Sequence, residues 1–336
     1  MNRIFSQALS RQAVLGTRFS SSAASSSPAP SRTPLYAAII AATTAGAYYV
    51  MSSGPPDKKS LQELEAKAKA AAAPIALNSE AFQNFKLKNI EKYNHDTSKF
   101  IFELPQGSKS GLTTCSAIIV KSATEGKALA KNGKPAIRPY TPISDPATLG
   151  EMTLLIKSYK DGVMSKHIHD LKPGDELSIK GPIPKFQYKA NEFKHVGLIA
   201  GGTGITPIYQ LLDAIASNPA DKTKVTLIYA NKTESDILLK EKLDEIQKGR
   251  PDQFKVLYTV DSAPSSWKGL TGFVDRSKLE KNMPAPGLAD EIKIFVCGPP
   301  GQMEAISGNK SSPSDQGELK GELANLGYQP SQIYKF

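Results

Sequence analysis

The chain is poor in cysteine and histidine, and its first 56 residues contain neither an acidic residue nor a lysine. Each scarcity removes a class of protein. Two cysteines, Cys115 and Cys297, cannot build a disulfide framework or a four-cysteine zinc site, and they leave no cluster for a fused iron–sulfur centre. The pair His167 and His169 stands in no metal-ligand pattern, so no metal is expected and both rings are expected as exposed polar groups. No dense Lys/Arg block with interleaved aromatics appears, so the formal net charge of +10 does not read as a nucleic-acid surface. No internal repeat is visible. A hydrophobic share of 40% with 22% charged residues excludes wholesale disorder. The length of 336 residues allows about two domains.

The missing acids at the N-terminus carry a positive message. Arg3, Arg11, Arg18 and Arg32 stand in a Ser-rich, acid-free stretch, the composition of a mitochondrial presequence. On a helix, Ile4, Ala8, Leu15 and Phe19 share one sector. Residues 1–34 are therefore expected to be a targeting segment. The uncharged run Leu35–Met51, with Tyr36, Tyr48 and Tyr49 near its ends, has the length of a short membrane span. This predicts a single membrane anchor helix over 35–53. Residues 54–78 read as a linker that begins at Gly54-Pro55-Pro56. It contains an Ala-rich helix, Leu61–Ala73, with Glu63–Lys67 and Glu65–Lys69 pairs and a stop at Pro74.

Residues 79–190 show short strand-like runs between turns: 99–104, 117–121, 152–159 and 176–180. This spacing predicts a small antiparallel β-barrel. From 191 to 336 the pattern changes. Apolar strands at 195–200, 225–230, 254–260 and 292–296 alternate with helix-like segments at 207–216 and 237–248. That alternation predicts an α/β domain with a parallel sheet.

Four strings carry the chemistry. In Arg138-Pro139-Tyr140-Thr141-Pro142-Ile143-Ser144 the arginine can pair with a pyrophosphate, and Tyr140 offers a flat face and a hydroxyl. Gly162-Val163-Met164-Ser165 is a glycine turn opening a helix, where main-chain N–H groups and the Ser165 hydroxyl can meet an anion. Gly201-Gly202-Thr203-Gly204-Ile205-Thr206-Pro207 follows a buried strand and opens a helix, the context of a phosphate-binding loop. It lacks the Lys-Ser/Thr of a P-loop, which disfavours ATP or GTP chemistry, and it also lacks the full G-x-G-x-x-G spacing of the Rossmann fingerprint. Cys297-Gly298-Pro299-Pro300 ends a strand, where α/β sheets bind ligands.

In this order and spacing the strings resemble the ferredoxin-reductase-like flavoproteins. Within them they are most similar to the NADH–cytochrome b5 reductases in their fungal mitochondrial form. The likeness covers about residues 80–336. It implies an FAD-binding barrel followed by an NADH-binding domain. It places Arg138 on the FAD pyrophosphate and Pro139, Tyr140 and Thr141 at the flavin. Leu155, Lys157 and Tyr159 come near the cofactor, with Lys157 also helping NADH. Val163, Met164 and Ser165 form the second FAD-phosphate turn, although Asp161-Gly162-Val163 replaces the family's Gly-Gly-Lys. Gly201, Gly202, Thr203 and Gly204 receive NADH, and Thr206 stands close to the flavin. Asp236 repels the 2′-phosphate of NADPH, and no arginine lies between 231 and 239. Cys297, Gly298 and Pro299 flank the nicotinamide, with Cys297 packing and orienting rather than acting as a thiolate. Thr141, Lys157 and Cys297 are the residues expected nearest the reaction.

The implied activity is hydride transfer from NADH to FAD, followed by single electrons to cytochrome b5 or a similar acidic haem protein. The alternatives are another acceptor, such as an iron–sulfur protein or quinone, or a redox-inactive membrane tether. A monomer is expected. The expected location is the mitochondrial outer membrane, with the intermembrane space as the alternative. The chain departs from the family pattern at two further places. Pro184 is expected to alter the interdomain linker, and 307–317 is expected as a solvent-exposed inserted loop.

Overall fold

The computed structural model describes Gln62 and residues 68–336. The expected targeting segment (1–34) and anchor helix (35–53) lie outside the described residues, as does most of the spacer. Among the described residues no helix is long and apolar enough to cross a membrane. Residues 68–72 are helical and stop before Pro74.

Six strands build the first domain: β1 (Gln83–Lys92), β2 (Thr97–Glu103), β3 (Ser116–Ser122), β4 (Arg138–Tyr140), β5 (Glu151–Lys157) and β6 (Glu176–Pro184). Their order is β4-β3-β6-β1-β2-β5, with every pairing antiparallel. The chain after β4 turns onto β5. Ile143 N donates to Thr153 O at 2.9 Å, and Thr153 N donates to Ser144 Oγ at 3.1 Å. These bonds bring the chain beyond β4 against β5 and draw the two outer strands toward closure. Alternate residues point inward, and Phe100, Phe102, Ile118, Val120, Met152, Leu154 and Ile179 fill the interior. Helix α1 (Val163–Asp170) adds Met164 and Ile168 to the same core.

The second domain holds β7 (His195–Gly201), β8 (Lys224–Asn231), β9 (Phe254–Val260), β10 (Leu270–Thr271), β11 (Ile292–Cys297) and β12 (Ile333–Lys335). These pair in parallel in the order β10-β9-β8-β7-β11-β12. A parallel sheet is buried on both faces, so its strands are apolar at nearly every position. Leu198 and Tyr229 pack with Ile208, Leu211 and Leu212 of helix α2 (Ile205–Ser217) on one side, and Ile199, Ile228, Ile294 and Val296 pack on the other. Successive strands run outward from β7 to β8 and β9, whereas β11 returns to the other side of β7. The crevice outside the carboxyl ends of β7 and β11 is therefore the topological switch point.

The structure departs from the sequence expectation at three places. Helix α3 is Lys240–Gly249; the apolar triplet Ile237–Leu239 precedes it, buried in the core, with Leu239 at φ 58. Pro184 is the last residue of β6, opposite Ser116, rather than part of the linker. In the segment 307–317, Ser307 is fully buried, and Lys310 and Gln316 bond to Lys335 O at 3.1 Å. That segment is exposed along its outer side but tied to β12.

The linker Lys185–Lys194 is bound to the second domain along its length. Tyr334 Oη donates to Lys185 O at 2.5 Å, and Tyr188 Oη donates to Asp221 Oδ2 at 2.8 Å. Lys194 N donates to Glu291 O at 2.7 Å. Phe186 meets Phe295 edge-on at 4.9 Å, and Phe295 stacks on Phe336 at 5.7 Å. Phe295 is fully buried at this junction. Phe295→Ala removes the centre of the cluster and is expected to cost about 3–5 kcal/mol, read as a lowered urea midpoint.

Candidate active site

The two turns at the switch point interlock through glycines. Gly201 ends β7, residues Gly202–Gly204 form a 3-10 turn, and α2 follows. A Cβ on Gly204 would strike Cys297 O and lie 2.8 Å from Gly298 N, so the turn after β7 rests on the turn after β11. A Cβ on Gly201 would strike the Gln302 carboxamide and lie 2.8 Å from Pro299 Cδ. Of the three glycines, Gly202 alone has φ +51 and open space where a Cβ would be. Gly201 and Gly204 therefore set the packing, while the backbone at Gly202 stays open in a conformation that favours glycine. Tyr229 Oη donates to Gly202 O at 2.9 Å and steadies the turn. The Thr206 hydroxyl donates to Thr203 O at 3.2 Å, inside the loop rather than toward a flavin.

On the barrel, Arg138 and Pro139 are exposed on β4, and Tyr140 and Thr141 are half-buried. Arg138 Nη1 donates to Ile137 O at 2.8 Å, and among the described residues nothing else binds its guanidinium. Burial pushes the Tyr140 phenol up to about 12, so it stays a neutral hydroxyl. Tyr159 and Val163 are 49% and 37% exposed on this side of the barrel. No side chain caps α1, which leaves its first-turn N–H groups for an anion. A free guanidinium, uncapped N–H groups and an exposed aromatic face suit a flavin nucleotide, so the residues present fit FAD.

Three expected contacts take a different form. Ser165 is buried; its Oγ accepts from Tyr159 N at 3.2 Å and donates to Gly162 O at 3.1 Å, bracing the turn instead of facing a ligand. Met164 is 2% exposed, so only its backbone can reach a phosphate. Leu155 is buried in a cluster that joins the two domains. The histidines also differ from expectation. Nε2 of His169 bonds Ile156 O at 3.0 Å and the ring packs edge-on to Phe100 at 5.0 Å. His167 is half-buried, with Nε2 unpartnered among the described residues; burial keeps its pKa below the usual value.

The two half-sites touch. Tyr159 Oη, at the end of β5, lies 2.8 Å from Thr203 Oγ1 in the glycine turn. Asn94 Nδ2 donates to Ser235 O at 3.1 Å, and Leu239 N donates to Tyr93 Oη at 2.7 Å. Between these contacts Lys157 Nζ sits 2.8 Å from Asp96 Oδ2 and 3.2 Å from Asp236 Oδ1. Asp236 Oδ2 accepts from Thr233 N and Thr233 Oγ1 at 3.1 and 2.7 Å. Burial opposes ionisation at all three groups, but the hydrogen bonds outweigh it. Asp96 and Asp236 are held below the usual carboxylate range, and Lys157 is held above the usual lysine value. His95, Asp96 and Asp236 have metal-ligand spacing, yet the Lys157 ammonium already binds both carboxylates.

Cys297 lies at the turn after β11. Burial pushes its thiol up to about 12, against the pull of Lys310, so it is not a thiolate at neutral pH. A cavity of about 320 Å³ opens at the opposite, amino-terminal end of the sheet, lined by Pro286, Asp290, Gly327 and Gln332 among others. It contains none of the expected site residues. The sequence reading missed Asp96, His95 and Gln302. The Gln302 signal lay one turn past Cys297-Gly298, but Asp96 is 140 residues from Asp236 and only the fold joins them.

Residues 84–188 match the family described as oxidoreductase FAD-binding domain, and residues 198–308 match oxidoreductase NAD-binding domain. The class is thus an FAD-dependent, NAD-binding oxidoreductase of two domains. The chain is 54% identical over 275 residues to an NADH-cytochrome b5 reductase 2 of Mycosarcoma maydis, covering 82% of this chain and 78% of that protein. To an NADH-cytochrome b5 reductase 2 of Yarrowia lipolytica it is 51% identical over 254 residues, covering 75% and 85%. The cytochrome b5 reductase domain of Ulva prolifera nitrate reductase superposes with a TM-score of 0.66 at 30% identity, over 78% of this chain and 99% of that one. The chain belongs to the NADH–cytochrome b5 reductase family.

The ion cluster has a pH signature. Carboxylates with depressed folded pKa values contribute stability that is complete above the ordinary range of about 4 and lost as pH falls through the folded values. Lys157, being raised, contributes stability that is complete below the ordinary lysine value and lost as pH rises through the higher folded value. Asp96→Asn is therefore expected to melt lower than the wild type at pH 7. In thermal unfolding the gap should close below about pH 3.

Proposed function

We propose that the chain is an NADH-dependent flavoenzyme that accepts a hydride from NADH onto FAD and delivers single electrons to cytochrome b5. Family membership supports the reading, and one contact carries it. Tyr159 Oη against Thr203 Oγ1 joins the exposed barrel edge to the nucleotide turn, so ligands held on the two sides meet at the switch point. When bound, FAD supplies the coupling between a two-electron donor and a one-electron acceptor.

The chain's own residues bind, orient and enclose. Arg138 would hold the FAD pyrophosphate with a two-pronged, charge-assisted pair, assisted by the uncapped start of α1. Gly202 would admit the NADH pyrophosphate, with Gly201 and Gly204 keeping the turn in place. Thr203, Cys297, Gly298 and Pro299 would form the wall against the nicotinamide, and Thr141 and Tyr140 would border the flavin. Thr206 would act by shaping the glycine turn, and Leu155 and Met164 by packing beneath the site. No general acid or base is required, because hydride transfer depends on near-attack placement.

Cytochrome b5 or a similar acidic haem protein is the acceptor we favour, since the chain beyond residue 56 keeps six of the ten net positive charges. For location, we read residues 1–34 as a mitochondrial import signal and 35–53 as a single-pass outer-membrane anchor. The arginine-only charge of the first segment and the uncharged run of the second support this. A monomer fits the reading.

Purified protein should carry FAD whose yellow colour NADH bleaches, and Arg138→Ala should lower the FAD-to-protein ratio. Flavin retained at full occupancy in that variant would overturn the assigned role. Removal of residues 1–34 should shift the protein out of the mitochondrial fraction, scored by immunoblot; an unchanged distribution would refute the import reading.

A further inference from the structure

The preference for NADH has been placed on Asp236, yet that carboxylate is poorly available. Its side chain is 9% exposed, one oxygen is taken by Thr233, and the other faces the Lys157 ammonium. An ammonium at 3.2 Å cancels most of the field that one carboxylate could set against a phosphate. A single acid so neutralised is a weak discriminator.

The cluster, however, holds a second acid from the other domain. Asp96, in the turn between β1 and β2, lies 2.8 Å from the same ammonium and is 25% exposed. Two carboxylates around one ammonium leave one net negative charge, and its more exposed bearer is Asp96. We infer that Asp96 is a specificity-determining residue for the nucleotide, sharing with Asp236 the rejection of a 2′-phosphate. By holding Lys157, Asp96 keeps Asp236 from being fully neutralised, so either acid alone leaves a cluster of zero net charge. The other groups facing the cluster are the His95 ring, 3.4 Å from Asp96 and 3.6 Å from Asp236, and the Thr97 hydroxyl, which donates to Asp96 Oδ1 at 2.9 Å. The inference rests on the reading of the chain as an NADH-oxidising flavoenzyme.

The test uses the full-length FAD-loaded protein and its Asp96→Asn, Asp96→Glu and Asp236→Asn variants. Two readouts are taken at one fixed pH: kcat/KM for NADH and NADPH with ferricyanide as acceptor, and calorimetric Kd for NAD⁺ and NADP⁺. In Asp96→Asn the NADPH-to-NADH ratio of kcat/KM should rise about tenfold, the scale of one partly exposed charge a few ångströms away. The affinity ratio should move the same way, and Asp236→Asn should give a rise of similar size. Asp96→Glu should fall back toward the wild-type ratio, and added salt should shrink the difference. A ratio that stays at the wild-type value in Asp96→Asn, or equal losses for both nucleotides, would overturn the inference and leave Asp96 a structural partner of Lys157. If Asp96→Asn folds poorly, Asp96→Ser removes the same charge and is read by the same ratio. Wild-type flavin that NADH fails to reduce would instead defeat the functional reading, a result visible before any variant is made.

Discussion

The site depends on how closely two backbone turns can approach. The turn after β7 lies on the turn after β11 because Gly204 presents no side chain to Cys297 and Gly298. Any Cβ there would push the loops apart at the point where the sheet changes direction. That contact fixes where the open backbone of Gly202 lies and where Thr203 can reach Tyr159 across the domain boundary. The glycine-rich string thus serves packing at two positions and leaves open space at the third.

At the front edge of the boundary the contacts are polar. Lys157 binds acids from both sides, and the Tyr93, Asn94 and Tyr159 contacts flank it. Such contacts exchange readily with water and with charged ligands, whereas an apolar seal would resist opening. A nucleotide that enters between the domains competes with hydrogen bonds, not with a packed core. A buried apolar cluster containing Leu155, Ile143 and Cys115 also joins the two domains.

The fold was legible in the sequence where burial forces a pattern. The run His195–Ala200 could be read as a strand because a parallel strand is apolar on both faces. The barrel strands could be read from their short alternating runs. Ile237–Leu239 misled for the same reason: the triplet is buried, but Leu239 takes a left-handed backbone and the helix begins one residue later. The strings around Gly201 and Cys297 meet at the switch point, and the one around Arg138 lies exposed on the barrel. Side-chain direction was not legible. Ser165 and Thr206 carry hydroxyls of the expected type, yet both turn inward to brace their own loops. Nor could spacing along the chain show Asp96 beside Asp236, because that neighbourhood exists only after two domains dock.

The linker has a mechanical consequence. Lys185, Phe186, Tyr188 and Lys194 are each fastened to the second domain, so the segment has no slack to act as a tether. Lys185 is held by both domains, its N donating to Cys115 O at 2.9 Å and its O accepting from Tyr334 Oη, so any swing of one domain against the other must turn about this residue. A proline with a fixed φ stands on the barrel side of that pivot. The joint therefore behaves as a stiff hinge of a residue or two, which restricts domain opening to rotation about one place and brings the same two edges back together at each closure.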